Sequence, residues 1–394
     1  MKQIIFDLVI LGGGCAGLSL ARQLANNSLW KKNTLILESR QTYSNDRSWC
    51  FWQPGTAHVA DDLYPLISHR WQAWRFSGEH FDAIHALPQR HYCFIAAGDF
   101  YTNSLSAIKA HDSIEIALGK TVIAIKPHPA GFHLTLEDGS NILAGQIIDT
   151  RPPQYLHHKQ AKLWQIFYGV EIITEDPVFD PSIVGLMDDL HPTDQGTQFR
   201  YSLPFSNRHA LIETTLFTPV LQSPLGLKAQ LIGWLDKTLG CRKYEITRVE
   251  QACLPMGLKE LKQRQSESYI YAGTIAGAIR PATGYAFIRI QNWAHECAQE
   301  LIFGNSLISF RTSNAIVQAM DNIFLNVLHD RPDLGALFFR ALSKKVDAAA
   351  LVRFLSDEAK PNDYWQILNA LPTLRFLAYS LGLNRLFFNQ KELI

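Results

Sequence analysis

The first 38 residues commit the chain to one supersecondary unit. Ile4 to Leu11 is an apolar run interrupted only by Asp7, and its length and β-branched content suit a buried parallel strand. Gly12-Gly13-Gly14-Cys15-Ala16-Gly17 follows without a spacer, and Leu18 to Ala25 then reads as a helix with Leu20 and Leu24 on one face. Thr34 to Glu38 is a second buried strand. Strand, helix and strand form a βαβ unit, and its parallel strands place the chain in the α/β class.

The turn carries the pattern G-x-G-x-x-G at Gly12, Gly14 and Gly17. Gly12 permits a tight turn, Gly14 lets the backbone approach a pyrophosphate, and Gly17 allows close helix–strand packing. The helix start offers free N–H groups and partial positive charge to phosphates. Glu38, 21 positions after Gly17, is placed to accept hydrogen bonds from a ribose diol. An acid there suits an unphosphorylated adenosine ribose, hence FAD or NAD. The N-terminal position, with a long insertion before the later strand, favours FAD. Gly12, Gly13, Gly14, Cys15, Ala16, Gly17 and Glu38 are therefore the expected cofactor contacts; the alternative is a glycine turn without a ligand.

A length of 394 residues implies two or three structural units. The 37 basic and 36 acidic residues leave no electrostatic footprint for nucleic acid, and the 47% hydrophobic content excludes a disordered chain. Six cysteines without a C-x-x-C pair argue against a zinc ribbon or a disulfide scaffold and fit a reducing compartment. The 14 histidines lack metal-binding spacing, so no metal is expected. Residues 1–75, 95–155 and 265–305 read as a discontinuous Rossmann-type FAD-binding domain. Residues 76–94 and 156–264 read as an inserted β-rich substrate domain, and 306–394 as a helical region.

Two later segments bear on chemistry. Tyr269 to Gly273 is a strand ending in glycine, and the stretch through Tyr285 is expected to open a helix running past Ile290. A helix start there would stabilise negative charge on a flavin ring. Ala210 to Thr215 places one acid, Glu213, inside an apolar strand, where desolvation raises a lone carboxyl's pKa. The competing reading pairs Glu213 with Arg208 or His209.

These segments carry a resemblance to the lycopene β-cyclase family of carotenoid biosynthesis in its bacterial form. The matching stretches are the N-terminal Gly-Gly-Gly-Cys-Ala-Gly, Asp46-Arg47-Ser48-Trp49-Cys50-Phe51-Trp52, Leu211-Ile212-Glu213-Thr214-Thr215, Pro255-Met256-Gly257, and Ala276-Gly277 with Pro281-Ala282-Thr283-Gly284-Tyr285. The sequence departs from related flavoproteins at Thr274, where they place Asp, and at Asp149-Thr150-Arg151-Pro152, where D-x-R-G is usual.

The resemblance implies an isomerase that folds the linear ψ-ends of lycopene into β-rings, by way of γ-carotene to β-carotene, without net redox change. Glu213 is the implied acid. Reduced FAD is the implied cofactor, with NADPH or NADH as its reductant. Arg47, Gly273, Thr274, Pro281, Thr283, Gly284 and Tyr285 join the implied cofactor contacts. Arg47 either neutralises the cofactor or pairs with Asp46. Trp49, Phe51 and Trp52 are implied to line the substrate pocket, and ordinary core packing is the other reading for each.

The alternative activities are a flavin-dependent monooxygenase, an isoprenoid double-bond reductase, or carotenoid binding without turnover. A linear carotenoid is dissolved in membrane, while neither a signal peptide nor a run of 18 apolar residues is found in the sequence. A peripheral position on the cytoplasmic face of the cell membrane is therefore expected. Tyr364 to Phe388 would supply the contact, or else pack on the core.

Overall fold

The computed structural model describes residues 5–55, 61–152, 160–240, 242–304, 306–311 and 313–371. Its first layer is an eight-stranded sheet containing a run of five parallel strands, in the order Tyr269–Tyr271, Asn141–Asp149, Ile5–Leu11, Thr34–Glu38 and Ile114–Leu118. Both faces of this run are covered, which explains its continuous apolar sequence. Leu8, Ile10, Ile36 and Ile148 point to one side, towards the helices Cys15–Ala25, Ala97–Lys109 and Phe287–Phe303. Val9, Leu11, Leu35, Leu37 and Ile147 point to the other, beneath the antiparallel strands Val122–His128 and Gly131–Leu136. The architecture is the α/β Rossmann type that the N-terminal unit announces.

The second layer is a seven-stranded sheet in the order Tyr244–Leu258, Ala161–Thr174, His209–Thr218, Gly196–Pro204, Ile183–Thr193, Ala73–Gly78 and Phe81–Ala86. The strand Ala73–Gly78 straddles the boundary expected at residue 75 and pairs in parallel with Ile183–Thr193. A small third sheet, Ser48–Trp52, Tyr92–Ala96 and His69–Trp71, joins the two layers. One face of the seven-stranded sheet packs on the helix Lys228–Leu239 through Leu231, Leu235 and Leu239. Its other face meets the C-terminal helices through Leu203, Phe217, Phe338 and Leu351.

Two expectations need correction. The segment after Gly273 forms only a 3-10 turn, Gly273–Ala276, and the helix begins at Phe287. Left-handed backbone at Gly277 and Gly284, together with Pro281, keeps the intervening chain irregular. In the helix Ala315–Asp330, periodicity places Ile316, Met320, Ile323, Phe324 and Val327 on one inward stripe. Phe324 and Val327 are indeed buried, but Ile316 is exposed and Val317, Asp321 and Leu328 are buried in addition, so the inward face is rotated. A polar anchor accounts for this, because buried Asp321 accepts from the fully buried Arg280 at 3.3 Å. An ion pair at that depth fixes which face turns inward.

Among the described residues no helix is long and apolar enough to cross a membrane. The last described helix, Pro361–Ala370, exposes Trp365 and Leu368 and buries Ile367. Residues 372–388, the rest of the segment expected to touch lipid, lie outside the described residues.

Candidate active site

The glycine turn is shaped by contacts that each residue type dictates. Gly12 adopts φ +94°, and the Thr150 hydroxyl donates to the carbonyls of Leu11 and Gly12 at 2.9 and 3.0 Å. Thr150, from the departing Asp149–Pro152 stretch, thus closes the turn. A Cβ on Gly17 would lie 2.0 Å from the Gly12 carbonyl oxygen, so the helix packs on the turn only with glycine there. A Cβ on Gly14 would meet no other residue within 4 Å, because that position faces a cavity. Gly14 also caps the helix Cys15–Ala25 without a side-chain bond.

Glu38 closes the second strand and accepts the Gly13 N–H at 2.6 Å and the Arg40 N–H at 2.8 Å. Arg40 Nε adds a charge-assisted bond at 3.2 Å. Burial alone would favour the neutral acid, yet these donors and the Arg40 charge together hold the Glu38 carboxyl below its usual range.

The cavity beside this turn has a volume of about 720 Å³ and reaches from the Rossmann sheet into the seven-stranded sheet. Gly12, Gly14, Cys15, Ala16, Glu38, Arg47, Trp49, Glu213, Gly273, Thr274, Thr283, Gly284 and Tyr285 all line it. Gly13, Gly17, Pro281, Phe51 and Trp52 do not. Phe51 stacks on Phe287 in the Rossmann core, and Trp52 packs on Trp74 and Tyr92. Arg47 donates to the Asp46 carbonyl at 2.8 Å.

A dinucleotide with a flavin ring fits this lining. The Gly14 gap and the uncapped helix start leave room and N–H donors for a pyrophosphate, and Glu38 stands where a ribose diol needs an acceptor. Gln165 adds a buried amide oxygen that accepts no hydrogen bond among the described residues, and it lies beside Gly284. Such an orphan acceptor is satisfied by a ligand N–H.

The other end of the cavity is largely apolar, with one acid pair, Thr215 and a few phenol hydroxyls as its polar lining. Phe199, Phe217, Leu254, Phe339, Leu342 and Leu351 supply the hydrocarbon surface. Glu213 faces this chamber from the strand His209–Thr218. The lone carboxyl expected from its sequence is in fact paired: Glu213 is hydrogen-bonded to Glu250 on the strand Tyr244–Leu258. Neither Arg208 nor His209 is its partner; His209 bonds Glu171 at 2.7 Å. Burial first, and the neighbouring Glu250 carboxylate second, push the Glu213 pKa well above the usual carboxyl range, with Arg248 and Thr215 opposing.

Glu250 in turn accepts from Arg248 Nη1 at 2.6 Å and from the Ser48 hydroxyl at 2.8 Å. A phenol cluster lies near the pair, with the Tyr92 hydroxyl 2.9 Å from that of Tyr201 and 3.3 Å from that of Tyr285. Glu250, Arg248, Gln165 and Tyr201 escaped the sequence reading. The available signal was the alternation in Arg248-Val249-Glu250, which puts both charges on one face of a strand.

A site joining a dinucleotide cradle to an apolar chamber with one neutral acid can hold a redox cofactor beside a hydrocarbon and protonate it. Comparisons with known proteins give the fold and the family. The fold is shared with a geranylgeranyl bacteriochlorophyll reductase-like protein from Thermoplasma acidophilum, at TM-score 0.59 and 14% identity over 97% of this chain and all of that one. A halogenase, PltM, one point mutant of which was solved in complex with FAD, gives TM-score 0.57 at 15% identity over 97% of this chain and 95% of its own. Lycopene beta-cyclase from Pseudescherichia vulneris is 26% identical over 71% of this chain and 70% of its own length. Lycopene beta cyclase from Synechococcus elongatus is 23% identical over 80% and 77%. A family profile described as lycopene cyclase protein matches residues 7–380, nearly the whole length over which cradle and chamber are built, and the chain belongs to the lycopene cyclase family.

Proposed function

We propose that this chain is a flavin-dependent lycopene β-cyclase, an isomerase that converts each ψ-end of lycopene, or of a related linear carotenoid, into a β-ring. One observation carries the reading: a carboxyl kept neutral by burial faces an apolar cavity that is continuous with the dinucleotide cradle. An unactivated alkene needs a strong proton donor held protonated near neutral pH, and Glu213 meets that need.

Gly12, Gly14, Cys15, Ala16, Glu38 and Arg47 would hold the dinucleotide, with Gly13 and Gly17 shaping the turn behind them. Gly273, Thr274, Thr283, Gly284 and Tyr285 line the region for its ring, and Pro281 shapes the loop that carries them. FAD, reduced by NADPH or NADH, supplies negative charge that favours cationic species near it. The chain's own residues do the rest. Glu213 delivers a proton to the CH carbon of the terminal (CH3)2C=CH alkene, and the tertiary cation so formed closes the ring and then loses a proton. Phe199, Phe217, Phe339 and Leu351 exclude the water that would trap it as an alcohol. Trp49 and Tyr285 line the cavity, and an aromatic face turned to a cation is worth roughly 0.5–2 kcal/mol. The exposed Trp365 and Leu368 suit a peripheral approach to the cytoplasmic membrane face, where the substrate is dissolved.

Expression in a lycopene-accumulating bacterium, with pigment chromatography and mass spectrometry, tests this. Ring-closed product of unchanged mass is expected, with one deuterium added per ring in deuterated water. A product heavier by oxygen or by hydrogens identifies a monooxygenase or a reductase, and unchanged lycopene overturns the enzyme reading.

A further inference from the structure

We infer that Glu250 and Glu213 form a carboxyl dyad that shares one proton across a gap left by Gly169, with Glu250 as the residue that positions the proton on Glu213. The inference deepens the function proposed above and rests on it. The geometry comes from strand register. Gly169 pairs with Glu213 on one side and with Glu250 on the other. The two acids therefore stand on strands separated by one strand, a backbone distance of roughly 10 Å. Their side chains meet because the middle strand carries none: a Cβ on Gly169 would lie 2.7 Å from Glu213 Cγ and 3.4 Å from Glu250 Cγ.

The surroundings assign the two roles. Glu250 accepts from both the Arg248 guanidinium and the Ser48 hydroxyl, donors that suit a carboxylate. Arg248 is itself divided, with Nε on Glu171 at 2.7 Å, and Glu171 also meets His209. Among the described residues no cation forms an ion pair with Glu213; it faces Tyr201 on the strand Gly196–Pro204 and lies near Cys50 of the third sheet. Thr215 is its other polar neighbour. Both acids line the chamber. In turnover the proton leaves Glu213 to form the new C–H bond, leaving two carboxylates. The ring cation then loses a C–H proton to this pair, which regains its single shared proton. Nothing is oxidised or reduced.

The test uses flavin-loaded protein with lycopene in phospholipid vesicles, comparing wild type, Glu250→Gln, Gly169→Ala and Glu213→Gln. Glu250→Gln preserves shape but removes the charge that holds the proton and leaves Arg248 nearer to unopposed. Its rate should fall roughly 10- to 100-fold near neutral pH, and the alkaline limb of its pH profile should move to lower pH. Gly169→Ala should move the limb the same way. Infrared spectra of the resting holoprotein give a readout independent of turnover. The neutral-acid carbonyl band should be absent in Glu213→Gln and should titrate at lower pH in Glu250→Gln than in wild type. An unmoved limb and band in Glu250→Gln overturn the dyad, even if that variant is less stable. If the band moves but wild type yields no ring, the dyad stands and the cyclase reading falls.

Discussion

Glu38 and Glu213 are the same residue type at nearly the same depth, 5% and 6% exposed, yet they sit in opposite protonation regimes. Glu38 is ringed by donors, two backbone N–H groups and a guanidinium, and is held ionised. Glu213 has a second carboxylate as a partner, and burial and that neighbour push its carboxyl towards the neutral form. Burial sets the penalty for charge in both places, and the partners decide whether it is overcome. In the function proposed above, one carboxyl serves as an acceptor for a ribose and the other as a proton donor for a hydrocarbon.

The largest expected effect comes from erasing the donor. Glu213→Gln should retain flavin, as read by its visible absorption, while cyclisation falls by about 10³-fold or more. A variant that still closes rings at near wild-type rate would remove Glu213 from the chemistry and leave the contrast with Glu38 without function.

At the cradle, the comparable break is steric. Gly14→Val points its side chain into the cavity where nothing else stands, so the protein should fold normally and purify without flavin. Gly17→Ala meets the Gly12 carbonyl instead, and should lower thermal stability by several degrees before any effect on flavin is measured. Flavin retained at wild-type stoichiometry in Gly14→Val would sink the assignment of this turn to the cofactor.

The two regions also differ in how openly the sequence displays them. The cradle is local: Gly12, Gly14, Gly17 and Glu38 lie within 27 consecutive residues, and spacing alone relates them. The acid chamber is assembled from strands far apart in the chain. The apolar setting of Glu213 is visible in the sequence, but its partner Glu250 is 37 positions away and meets it only through the register of a third strand at Gly169. Periodicity gives faces, not register between distant strands. The same limit explains Ile316, whose face periodicity assigns wrongly because the Arg280–Asp321 pair joins segments 41 residues apart. Phe51 and Trp52 share a motif with Trp49, but packing leaves only Trp49 of the three at the cavity, because Phe51 is taken up by Phe287 and Trp52 by Trp74 and Tyr92.

The smallest effect is the one that measures the contrast directly, through stability against pH. Glu213 binds a proton in the folded state that it releases on unfolding once the pH exceeds about 4.5, the ordinary glutamate value. Stability from that group is complete below this pH and is lost as pH rises towards the folded pKa, by about 1.4 kcal/mol per unit. Glu213→Gln abolishes the loss, so urea midpoints should show the variant gaining on wild type as pH rises from 5 to 7. Glu38 has the opposite sign. Its folded pKa is depressed, so its contribution is present above about 4.5 and is lost as pH falls through the folded value. Glu38→Gln should therefore be less stable than wild type at pH 7 by about 1–2 kcal/mol, with the deficit shrinking in acid. Both variants moving in the same direction with pH would mean that burial alone governs the two carboxyls, and that their partners do not set the sign.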